Sequence, residues 1–225
     1  MTTLLLADVV EGKLEIVTSR VLTVALQLGA PVHILVAGVG VTAAAEEASA
    51  LHGVEKVVVA DDPVFAHALA EPLAELILQL APGYSAILAS NASSGKNVLP
   101  RVAAMLDVMQ VTEIIKVVAN DTFERAIYAG NAIQMIQSLD KTLVATIRST
   151  AFAAAADGGH APVEAVRVAL RVQLSTFKEE VVSRTTRPDL AEARVVISGG
   201  RALQSAENFT KYIGPVADVL KAAIG

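Results

Sequence analysis

Val32-His33-Ile34-Leu35-Val36-Ala37 runs straight into Gly38-Val39-Gly40-Val41-Thr42-Ala43, and this junction decides the fold. A short, mostly apolar run suits a strand buried on both faces, two spaced glycines suit a tight turn, and residues 41–51 repeat apolar side chains at helical spacing. The same alternation continues outward. Residues 4–7, 57–60 and 86–89 read as further buried strands, and residues 19–28, 64–80 and 96–106 as covering helices. A βαβα rhythm of this kind predicts a parallel sheet with helices on its faces.

The rhythm changes after Asp107. Residues 111–118, 122–128, 131–139 and 143–147 follow one another with only short polar turns between them, which leaves no room for crossover helices and predicts antiparallel neighbours. Residues 153–162, rich in small side chains, are expected to form a mobile loop, and residues 163–174 and 177–182 two more strands. Residues 183–190, with two Arg, several Ser/Thr and Pro188, have linker composition. The domain boundary is therefore expected between Arg187 and Pro188, giving domains 1–187 and 188–225. In the second domain Val195-Val196-Ile197-Ser198 reads as a strand, Gly199-Gly200-Arg201 as a turn, and the stretch from Ser205 to Gly225 as a helix, so the chain is expected to stop after one βα step. The predicted fold class is α/β: a Rossmann-like three-layer αβα domain with a mainly parallel sheet and an antiparallel extension, then an incomplete second α/β domain.

Composition narrows the chemistry. The chain has 225 residues, 53% of them hydrophobic, which suffices for a sizeable core. The apolar runs fall short of the ~20 residues of a spanning helix, so no membrane insertion is expected. A net charge of −5 without a basic cluster argues against nucleic acid as a partner. With no Cys, thiolate nucleophiles, iron–sulfur ligation and Cys-based zinc sites drop out, and any redox role must rest on a bound cofactor. The opening residues, Met1-Thr2-Thr3-Leu4-Leu5-Leu6, read as a strand without a leader, so a cytoplasmic protein is expected.

Three turns are candidate sites. Gly38 to Ala43 fits G-x-G-x-x-A, with Asp61 and Asp62 roughly 20 residues further on, as a dinucleotide site requires; the alternative is a plain strand-to-helix turn. Ser90-Asn91-Ala92-Ser93-Ser94-Gly95-Lys96-Asn97 opens a helix, so its amides could face an anion. It departs from the P-loop at Ser90 and Asn97, and the alternative is a cap by Ser93 or Ser94 with Lys96 and Arg101 in solvent or on a partner chain. Gly199-Gly200-Arg201 carries the strongest case for cofactor binding: glycines let the backbone approach a phosphate, and a guanidinium grips it through two hydrogen bonds; the alternative is a plain turn with a surface Arg. The four His are scattered without metal-ligand spacing, and no catalytic or metal-binding set emerges.

Three separated segments resemble one family. They are Ala92-Ser93-Ser94-Gly95-Lys96-Asn97-Val98-Leu99-Pro100-Arg101-Val102-Ala103-Ala104, Asp121-Thr122-Phe123-Glu124-Arg125-Ala126-Ile127-Tyr128-Ala129-Gly130-Asn131-Ala132, and Arg187-Pro188-Asp189-Leu190 with Val195 to Arg201 and Glu207-Asn208-Phe209. In these the chain resembles the α subunit of an electron-transfer flavoprotein, cut short. The resemblance implies a single-electron carrier without substrate turnover of its own, paired with a β subunit. It would pass electrons from acyl-CoA or related dehydrogenases to a quinone-linked oxidoreductase. It further implies FAD in the C-terminal domain, held in part by Gly199, Gly200 and Arg201, and AMP only in the β subunit. Ala202 stands where the family usually has Gly. A stand-alone nucleotide-binding or regulatory module is the alternative.

Overall fold

The computed structural model describes residues 2–169, 174–179, 181, 187–188, 190 and 193–225, and the chain forms two compact units, Met1–Phe177 and Lys178–Gly225. In the first unit the elements run β1 (Thr3–Leu6), β2 (Val9–Val10), β3 (Lys13–Leu14), α1 (Ile16–Gln27), β4 (Val32–Gly38), α2 (Thr42–Ser49), β5 (Val54–Asp61) and α3 (Ala70–Leu80). There follow β6 (Ala86–Ser90), α4 (Ser93–Leu106), β7 (Gln110–Ala119), β8 (Thr122–Ile127), β9 (Ala132–Gln137), β10 (Leu143–Ile147) and β11 (Val163–Ala165). Among the described residues one sheet runs in the order β11-β5-β4-β1-β6-β10-β7-β8-β9. Leu5, Ile34, Val57 and Leu88 face α1 and α2 on one side, whereas Leu4, Leu35, Val58 and Ile87 face α3 and α4 on the other. The period-2 alternation along each strand thus feeds two separate cores, which is the three-layer αβα arrangement.

The antiparallel extension is present, but one strand fewer takes part in it. β7, β8 and β9 pair antiparallel, with Phe123 opposite Val117 and Ile136. β10 instead returns between β6 and β7 and runs parallel to both. All five of its residues are buried, as a central parallel strand requires, whereas β9 alternates between half-buried and exposed. The short turn before β10 therefore joins strands that are not neighbours.

Other expectations shift for local reasons. The helix expected over 64–80 begins only at Ala70, because Pro63–Phe65 form a 3₁₀ turn and Ala68 adopts φ 47°. A hairpin that periodicity does not reveal joins β2 to β3 through Glu11 (φ 49°) and Gly12 (φ 78°), both left-handed as a two-residue turn of type I′ requires. The loop over 153–162 is stapled to the end of α2: the Gly158 and Gly159 amides both donate to the Ala50 carbonyl, and His52 N–H donates to Ala156 O. Of the strand expected over 163–174 only β11 forms, parallel to β5; residues 170–173, 180 and 182–186 lie outside the described residues.

The second unit contains β12 (Val196–Ile197), α5 (Ala206–Leu220) and β13 (Ala223–Ile224). Helix α5 does not reach the terminus. Lys221 turns left-handed at φ 49°, and β13 pairs parallel with β12, Val196 opposite Ala223 and Ile197 opposite Ile224. The unit is thus a short βαβ step. Within it Arg187 pairs with Asp218 at 2.5 Å.

Candidate functional site

The turn between β12 and α5 is built from its backbone upward. Gly200 is extended (φ −110°, ψ −165°), Arg201–Leu203 make a 3₁₀ turn, and Gln204 is left-handed at φ 66°. Ser205 then caps α5: its hydroxyl accepts from Asn208 N–H at 3.1 Å, while Asn208 Nδ2 donates to Leu203 O at 2.9 Å. The two glycines differ in their surroundings. A Cβ on Gly199 would lie 2.3 Å from Leu203 Cδ1 and 3.2 Å from the Phe209 ring, so this position lets the turn fold against its own helix. A Cβ on Gly200 would meet no atom within 4 Å. Gly200 and Arg201 line an open cleft of about 540 Å³ together with Ser205 and Thr210. Arg201 is exposed and takes part in none of the ion pairs found among the described residues. An accessible backbone, a guanidinium and the start of α5 together fit the phosphates of a nucleotide cofactor. The described residues of this unit do not surround a ring system.

The G-x-G-x-x-A turn is engaged differently. Gly40 N–H donates to Asp61 Oδ1 at 2.9 Å, and Ala44 N–H at the start of α2 donates to Gly12 O of the hairpin turn at 3.1 Å. Two donors of the kind that would meet a pyrophosphate are therefore taken, and one faces a carboxylate. The crevice beyond β1 and β6, where the strand order reverses, is the usual ligand position of such sheets. Here the Ser94 hydroxyl donates to Asp8 Oδ1, which places another carboxylate against the start of α4.

Neither Ser93 nor Ser94 caps α4, whose N-cap residue is Ala92. Lys96, expected in solvent or on a partner chain, pairs with Glu113 Oε1 at 2.8 Å, and Arg148 holds Glu113 Oε2. These two cations hold the Glu113 carboxyl below the usual carboxylate range, the Lys96 hydrogen bond contributing most. A lowered folded-state pKa adds stability above the unfolded value, which is lost as pH falls through the folded one. Glu113→Gln is accordingly expected to cost about 1 kcal/mol at pH 7 and less at pH 3, below the unfolded pKa, as read by denaturant titration at both. A cost undiminished at pH 3 would contradict the ion-pair account.

No helix among the described residues is long and apolar enough to cross a membrane, and no group of three or more His, Asp or Glu there could hold a metal ion.

The chain thus joins a Rossmann-like three-layer αβα domain to a glycine-arginine turn on a short βαβ step. A family model described as electron transfer flavoprotein domain matches residues 3–171. The protein from Bradyrhizobium diazoefficiens named electron transfer flavoprotein subunit alpha is 56% identical over all of this chain and 72% of its own length. Proteins of the same name from Pseudomonas aeruginosa and Paracoccus denitrificans are 45% and 46% identical, again over the whole chain and 73% of theirs. The chain belongs to the electron transfer flavoprotein family.

Proposed function

We propose that the chain acts as the α subunit of an electron-transfer flavoprotein, carrying single electrons from acyl-CoA or related dehydrogenases to a quinone-linked oxidoreductase in the cytoplasm. The observation that carries this reading is 56% identity to a protein named subunit alpha, without a break in coverage along the chain. The first domain, residues 1–187, pairs with a β subunit, which alone holds AMP. Residues 188–225 begin the FAD domain. Bound FAD supplies the redox chemistry, so the protein has no substrate turnover of its own. The chain's part is to hold and orient the cofactor: the Gly200 backbone admits a phosphate, and Arg201 neutralises it through parallel N–H donors. Gly199 keeps the turn folded on Phe209.

A stand-alone dinucleotide module would need the Gly40 amide, which the Asp61 carboxylate occupies, so pairing is the better supported reading. Co-expression with an electron-transfer flavoprotein β subunit tests it. The expected result is a 1:1 complex on size exclusion; a chain that elutes alone contradicts pairing. Tight NAD or ATP binding by the isolated chain, abolished by Gly40→Val, would favour the module instead.

A further inference from the structure

At the N-terminal ends of β1, β6 and β10, opposite the edge where nucleotide cofactors usually sit, lies a cavity of about 240 Å³. Thr3 lines it and is fully buried, yet its Oγ1 has no hydrogen-bond partner among the described residues. The Ser138 hydroxyl, also lining it, is likewise buried without one. Leaving two hydroxyls unsatisfied is costly, and native structures serve such groups with a bound ligand or an ordered water that a ligand hydroxyl can replace.

The other lining groups define that group's chemistry. Asp121 and Asp140 offer carboxylates, and Lys141 offers donors. Asp121 is fixed by Gln137 Nε2 and Thr122 Oγ1, each at 2.7 Å, and Asp140 by Met109 N–H at 2.9 Å. Hydrogen bonds to Gln137 and Thr122 also hold the Asp121 carboxyl below its ordinary range, so it stays an acceptor. Leu28 and Leu143 add an apolar wall. Backbone bonds set the frame in advance: Thr3 N–H to Pro31 O, Ser138 N–H to Asp121 O, and Leu143 N–H to Ser85 O.

A guest here must donate to carboxylates, exchange hydrogen bonds with two hydroxyls, accept from an ammonium and rest a C–H face on leucine. The two aspartates disfavour an anion, and Lys141 offsets one of their charges, so hydroxyls that both donate and accept match the lining without adding charge. The volume lies below that of drug-sized pockets, which suits a monosaccharide. We propose that this cavity binds a small neutral polyol of about pentose size, either free or as the ribose of a nucleoside. It shares no lining residue with the turn at Arg201 and is independent of the electron-carrier reading.

The test is amide-resolved NMR titration of the 225-residue chain with D-ribose, glycerol and adenosine. Saturable shifts at Thr3, Ser138 and Lys141 are expected with D-ribose, weaker ones with glycerol. Thr3→Val, which keeps the shape and removes the hydroxyl, should weaken binding about tenfold. Ser138→Ala should do the same and serves if the first variant fails to fold. Tighter binding of adenosine at the same amides supports the site and assigns the polyol to a nucleoside. Shifts that do not saturate by roughly 100 mM, that fall on other amides, or whose midpoint is unchanged in a folded variant overturn it.

Discussion

Gly95→Ala is expected to destabilise the first unit by about 3 kcal/mol, the upper end of the overpacking range. Gly95 is the third residue of α4, and a Cβ there would lie 2.1 Å from the Ser90 carbonyl oxygen and 3.1 Å from Ala89 Cβ. The first neighbour is backbone of β6, a central strand with every residue buried, so it cannot rotate away as a side chain would. α4 must then lift from the sheet, and Val98, Leu99 and Val102, all fully buried, lift with it. In a domain of this size the loss should lower Tm by roughly 6–12 °C. A Tm within about 2 °C of the parent would show that the helix and strand do not meet this closely in solution.

The second large effect concerns the flavin. The 225-residue chain by itself is expected not to retain FAD, although it carries the Gly200-Arg201 turn. That turn can meet a phosphate, but flavin affinity and redox tuning require positioned groups around the isoalloxazine. Among the described residues of the second unit the sheet has two strands of two residues each, and Val196 stands 49% exposed on it. Tyr212 and Val219 of α5 are exposed as well, Val219 at 82%. A parallel sheet is normally covered on both faces, and with this apolar surface open the described residues of the second unit offer a flavin ring little enclosure.

Much of the first unit was legible because burial on two faces leaves a strong mark on sequence. The apolar runs at 32–37 and 86–89 lie within β4 and β6, to within a residue of their ends. The direction of β10 was not legible from turn length, since a short connection says nothing about which strands it finally separates. Its unbroken Leu143-Val144-Ala145-Thr146-Ile147 was the better signal, because an antiparallel extension strand alternates as β9 does. The β2–β3 hairpin has too few residues for a period. The end of α5 was hidden because Lys221 adopts the left-handed conformation without being glycine.

Sites were less legible than strands. The G-x-G-x-x-A match depends on a free amide at Gly40, and its capture by Asp61 arises only from the pairing of Gly38 with Asp61 across β4 and β5. The surroundings of Gly199 and Gly200 are likewise set by where Leu203 and Phe209 fall in three dimensions. The cavity at Thr3 gathers residues from several separate segments, and no motif announces such a place.

We propose that this chain supplies one part of a flavin site and does not complete it. The most direct measurement is the visible absorbance of the purified 225-residue chain after saturation with FAD and exhaustive dialysis. A colourless protein is the predicted result. A yellow one holding stoichiometric FAD would contradict the account.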